Sequence, residues 1–138
     1  MKRLVVAVVV LFSTDAIAQQ ACVRPAAPVF PLQSTASALT QPQIEAQRAA
    51  RDTYFTAADA NLACLDREID TGMRALFASG APMDPALRQK GLAHEDASRE
   101  RAATYERFLR LCLAWEDATH TALPGGCAPA LHDGTPKP

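Results

Sequence analysis

Two stretches of helical periodicity, divided by Ser79-Gly80-Ala81-Pro82, leave this chain few folds to choose from. In the first, Ile44, Arg48, Arg51, Phe55, Ala58, Leu62, Leu65, Ile69, Met73 and Leu76 recur at steps of three or four, one continuous stripe of about eight turns. Thr40-Gln41-Pro42-Gln43 opens it with a hydroxyl cap, a proline in the first turn and a glutamine at the capping-box position. In the second, Asp84 is the cap and Pro85 the first helical residue. Ala97, Arg101, Tyr105, Phe108, Cys112 and Trp115 then share a stripe, widened near its end by Leu109, Leu111 and Leu113. Gly91 interrupts its early turns, and Pro124-Gly125-Gly126 stops it. Two helices joined by a short loop lie antiparallel. The pattern therefore predicts an all-α fold, a long helical hairpin over residues 41–123.

The chain changes character outside that hairpin. Lys2 and Arg3, the unbroken apolar run Leu4 to Phe12, and Ala16-Ile17-Ala18 form the pattern of a secretory signal peptide over residues 1–18. The run is too short for a bilayer, which needs about 20 apolar residues. No stable membrane insertion is expected after cleavage, and the protein is expected in the periplasm or secreted. Gln19-Gln20-Ala21 lacks the residues that would make Cys22 a lipid-attachment site. Residues 19–40 are expected to be an extended proline-rich arm, because Pro25, Pro28 and Pro31 recur at the three-residue repeat of polyproline II. Such an arm would lay its prolines against helix-face aromatics such as Tyr54 and Phe55. Residues 124–138 read as a turn carrying Cys127 and a disordered tail.

Four cysteines, Cys22, Cys64, Cys112 and Cys127, in an exported chain read as two disulfides, with three possible pairings. In a hairpin centred near residue 81, Cys64 and Cys112 differ by roughly 20 Å along the axis. A disulfide needs Cα atoms within about 7 Å, so this pair is excluded. The arm from Cys22 to Thr40 can reach about 56 Å at the polyproline rise, enough to return along the first helix to Cys64, roughly 36 Å from Thr40. Cys127 can just reach back to Cys112. Cys22–Cys64 with Cys112–Cys127 is the preferred set, and Cys22–Cys112 with Cys64–Cys127 stays open.

The arm and the first helix carry a resemblance. Cys22-Val23-Arg24-Pro25-Ala26-Ala27-Pro28-Val29-Phe30-Pro31, then Ser34-Thr35-Ala36-Ser37, then Ala46-Gln47 through Tyr54 and Ala63-Cys64-Leu65 resemble small exported proteins of alphaproteobacteria. The resemblance covers residues 22–70 and implies a Cys22–Cys64 bond, with no activity attached. A shorter likeness, Leu39-Thr40-Gln41-Pro42-Gln43, resembles the Leu-Thr-x-x-Gln motif of periplasmic helical-hairpin chaperones of the Spy and CpxP type. A plain helix cap accounts for the same letters.

Chemistry is sparse. The full chain of 138 residues carries a formal net charge of −1 and has no long basic stretch, which argues against a nucleic-acid partner. His94 falls on the polar start of the second helix, and His132 in the tail. Glu116 and His120 stand one turn apart, a spacing for two metal ligands, where zinc wants three or four. Ser34, Ser37, Ser79 and Ser98 have no histidine beside them in sequence, and no phosphate loop or metalloprotease helix is present. The expectation is a non-enzymatic protein with no cofactor and no metal site. Arg48, Arg51 and Arg101 interrupt the apolar stripes and read as snorkelling stems where the core thins, or as a patch for an acidic partner. Trp115 with Phe108 and Leu111 reads as core or a dimer seam rather than a ligand groove, and the apolar surface that a thin hairpin leaves over makes Tyr105, Phe108 and Trp115 the candidate interaction surface, for a protein partner or a homodimer. The functional expectation is an envelope protein that binds or builds, with a holdase chaperone as the alternative.

Overall fold

The computed structural model describes residues 22–128, so the expected signal peptide and the expected tail from 129 onward, with His132, lie outside it. The fold is all-α: α1 (Gln41–Ser79) and α2 (Pro85–Thr119) form the antiparallel hairpin. Their starts lie where the capping residues put them. Gln43 Oε1 accepts from the Thr40 amide at 2.8 Å and from its hydroxyl at 3.1 Å. Asp84 Oδ1 accepts from the Ala86 amide at 2.9 Å. Asp59 faces Arg101, Asp66 faces His94 and Phe55 faces Tyr105, each pair equidistant from Gly80 along the chain. The turn therefore sits at the Ser79–Pro82 break.

α2 ends earlier than the expected boundary at 123. His120 turns left-handed, at φ 52°, and the Leu123 amide donates to Glu116 Oε1 at 2.7 Å. The chain thus leaves the helix axis before Pro124 and folds back. Gly125 and Gly126, at φ 82° and 74°, make the bend. Two successive left-handed residues cost any side chain about 1–2 kcal/mol each.

Both disulfides follow the preferred pairing, Cys22–Cys64 and Cys112–Cys127, each with Cα atoms 5.6 Å apart. The arm lies over the seam between the helices. Its burial repeats every third residue, as the proline spacing predicts. Val23, Ala26 and Val29 are exposed, while Pro25, Pro28 and Pro31 are half-buried. The third set crosses between helices. Arg24 pairs with Glu100 of α2 at 2.7 Å, Ala27 packs on Tyr54, Phe55 and Ala58 of α1, and the Phe30 ring stands 5.6 Å from Phe108 of α2. Ala27 is thus one arm side chain set against Tyr54 and Phe55, with the half-buried prolines on either side of it. A small side chain lets the backbone come close to two aromatic rings.

The second half of the expected extended arm is not extended. Gln33–Ala38 forms a 3-10 turn. The Thr35 amide and hydroxyl both donate to the Leu32 carbonyl, at 2.9 and 2.8 Å, and that local bond competes with extension. The turn buries Ala36 in the main core, beside Ile44, Phe108, Leu111, Cys112, Trp115, Leu123 and Cys127.

The result is a two-ended molecule. At the body end, arm, 3-10 turn and C-terminal loop form a third layer over the hairpin. At the tip, around the 80–84 loop, the two helices cover only each other among the described residues. Gly72 there makes room for Leu87, whose Cδ1 would stand 2.7 Å from a Cβ at 72. Gly91 has no such reason, because a Cβ there would meet nothing within 4 Å. Relative to alanine it costs α2 about 1 kcal/mol. No helix among the described residues is long and apolar enough to cross a membrane.

Candidate interaction surfaces

Phe108 and Trp115 belong to the interior, 0 % and 2 % exposed, so they are unavailable as an interaction surface. Trp115 Nε1 donates to the Leu39 carbonyl at 2.9 Å, which ties α2 to the entry of α1. Tyr105 is half-buried, its ring 6.4 Å from Phe55 in the second cluster. The correction has one cause. A bare hairpin leaves these rings on its face, and here the arm, the 3-10 turn and the C-terminal loop cover them.

The arginines of the stripes are neither snorkelling stems nor a patch for a partner. Arg51 is 1 % exposed. Its Nη1 donates to the Cys127 carbonyl at 2.6 Å, its Nε and Nη2 donate to Asp52 Oδ1, and its guanidinium lies over Phe108, 4.4 Å from the ring centroid. Arg48 Nη1 donates to the Pro124 carbonyl and, at 3.4 Å, to that of Gly126. A loop that turns inward buries carbonyls that have no helical partner, and two arginines one turn apart supply the donors. Arg101 pairs with Asp59 through Nε at 2.6 Å and Nη2 at 3.1 Å while stacking on Phe55. The sequence signal for this clamp was present: arginines in an apolar stripe together with a Gly-Gly-Cys bend that must return to the helix.

Of the remaining polar candidates, Glu116 and His94 have partners within the chain. Glu116 Oε1 accepts from the Leu123 amide, and His120 is exposed at the left-handed end of α2. His94 Nε2 sits 3.1 Å from Asp66 Oδ1 across the hairpin. Glu68 stands beside Cys22 and Cys64, and Glu116 beside Cys112 and Cys127, with ligand atoms within 4.8 Å. In each group the two sulfurs are bonded to each other and offer no thiolate to a metal. Tyr54 is buried near Glu100, and its phenol pKa is raised above the usual 10.0 by desolvation first and by the carboxylate second.

What the structure does expose is apolar surface in two places. The outer face of the arm presents Val23, Ala26, Val29 and Leu32 at three-residue spacing, with Val29 93 % exposed. The tip presents Phe77, Met83 and Leu92, and a groove of about 400 Å³ bounded by Ile69, Met73, Met83, Leu87, Gly91 and Leu92 with Arg88 at its edge. A second groove, of about 440 Å³, lies between the start of the arm and α1, next to Cys22–Cys64, and takes in Asn61 and Arg67. Compared with known protein families, curated proteins and solved structures, the chain matches none.

Proposed function

We propose that this chain is an exported, non-enzymatic binding module of the cell envelope, and that the outer ridge of the arm is its contact for a protein partner. The observation that supports this reading is the ridge itself. Val23, Ala26, Val29 and Leu32 face outward together, while the same segment is pinned at both ends by Cys64 and by the Phe30–Phe108 contact. A segment fixed in one conformation before binding loses little entropy on association. An apolar row on such a segment suits an apolar groove of another protein. The two disulfides support an oxidising compartment, and periplasm or secretion is the location proposed with the function.

Crosslinking in intact cells, with the oxidised protein as bait and mass spectrometry as readout, tests the proposal. One dominant partner in fixed ratio is expected, and Val29→Glu, which alters only exposed surface, is expected to abolish its capture. A broad set of unrelated clients, enriched after heat or acid and indifferent to Val29→Glu, would overturn it in favour of a holdase chaperone. That second reading has one support, the methionines Met73 and Met83 at the apolar tip, since flexible thioether side chains suit promiscuous surfaces.

A further inference from the structure

We infer that the hairpin tip is a self-association surface, on which a second copy of this chain packs by a two-fold axis to complete a four-helix layer. The inference stands on the tip alone and does not depend on the arm ridge. Three observations meet there. First, among the described residues the tip lacks the third layer that covers the body, and Phe77 is 76 % exposed, with Met83 at 45 % and Leu92 at 49 %. From those fractions the three side chains alone present roughly 300 Å² per copy, the size of patch that marks interaction sites.

Second, Gly91 stands at this groove with open space where a side chain would be. Nothing among the described residues of its own chain requires a glycine there. A neighbouring helix that approaches the α2 backbone closely does require one, as small residues do wherever helices cross at short range.

Third, the charges select the occupant. Around the groove Asp66, Glu68 and Asp70 are already paired, with His94, Lys90 and Arg74. Arg88 makes no ion pair among the described residues, and Asp84, one turn before it on α2, uses one carboxylate oxygen for the cap and keeps the other free. Opposite charges one turn apart on one helix edge are self-complementary under a two-fold axis. Arg88 of each copy meets Asp84 of the other, and the contact closes at two copies. A partner of a single charge sign would satisfy only one of the two.

Sedimentation velocity on the oxidised protein, from about 1 µM to about 1 mM, is the test. A reversible monomer–dimer equilibrium is expected. Leu92→Asp, at an exposed position, should shift its dissociation constant at least tenfold upward with helical circular dichroism unchanged. Arg88→Glu and Asp84→Lys should each weaken the homodimer, and an equimolar mixture of these two variants should recover dimer, since the mixed pair restores both attractions. A protein that stays monomeric throughout overturns the inference, whether or not it then binds phosphatidylglycerol vesicles. A dimer indifferent to Leu92→Asp, or a mixture no tighter than its parts, overturns it as well. None of these outcomes bears on Val29, so failure here and failure of the arm ridge are separable.

Discussion

Arg51 shows how much one side chain can carry in a small fold. It joins α1 to the C-terminal loop through the Cys127 carbonyl and to α2 through the face of Phe108. Replacing it by methionine keeps most of the volume and removes the donor. The Cys127 carbonyl would then be buried without a partner, at about 1–3 kcal/mol, and the stacking contribution of about 1 kcal/mol would go with it. Urea denaturation of Arg51→Met should show a loss of about 3 kcal/mol, and a loss under about 0.5 kcal/mol would mean that the clamp is ornamental. Tyr54 makes a pH prediction. Its folded-state pKa lies above the unfolded value near 10.0, through desolvation and then Glu100, so the folded chain holds the phenolic proton more tightly than the unfolded one. That contribution is fully present below pH 10.0 and is lost as the pH rises from there through the folded value. Thermal melts from pH 8 to about 12 should fall on the alkaline side, and Tyr54→Phe should flatten that fall. An identical alkaline limb in the variant would assign the loss to other groups.

The helices were readable because their signals are local. Thr40 with Gln43 and Asp84 with Pro85 set the two starts, and the Ser79–Pro82 break sets the turn, each through bonds that close within four residues. The stripe of α1 is buried largely as its spacing predicts, at Ile44, Arg51, Phe55, Ala58 and Leu65. The places where periodicity misleads involve groups far apart in the chain. The early end of α2 depends on Glu116 capturing the Leu123 amide, which works only because the loop is drawn inward by Cys112 and Arg51. The 3-10 turn at Gln33–Ala38 is similar. It is a modest local preference, made decisive by burying Ala36 under Trp115 and Ile44. The proline repeat sets the arm's three-residue period, but the packing decides which of the three faces turns inward.

At the scale of the molecule, a two-helix core is too thin to be stable by burial alone. The arm and the C-terminal loop thicken it at one end, and the disulfides hold both in place. In the chain-entropy model the 15-residue and 42-residue separations correspond to about 3 and about 4 kcal/mol. Together these rival the 5–15 kcal/mol of net stability that a domain of this kind holds, roughly speaking. Full reduction should therefore abolish the near-ultraviolet circular dichroism of Trp115 and lower the melting transition steeply. A reduced protein that melts as the oxidised one does would show that the core suffices without its crosslinks. By itself the sequence determined the hairpin, its turn, the period of the arm and the preferred disulfide set, because caps, spacing and chain reach act over short distances or fixed lengths. Only the tertiary structure decided that Phe108 and Trp115 are core, that Arg48 and Arg51 clamp a loop, and that apolar surface is left on the arm and at the tip. Exposure is not a property of a side chain but of what the rest of the chain lays over it.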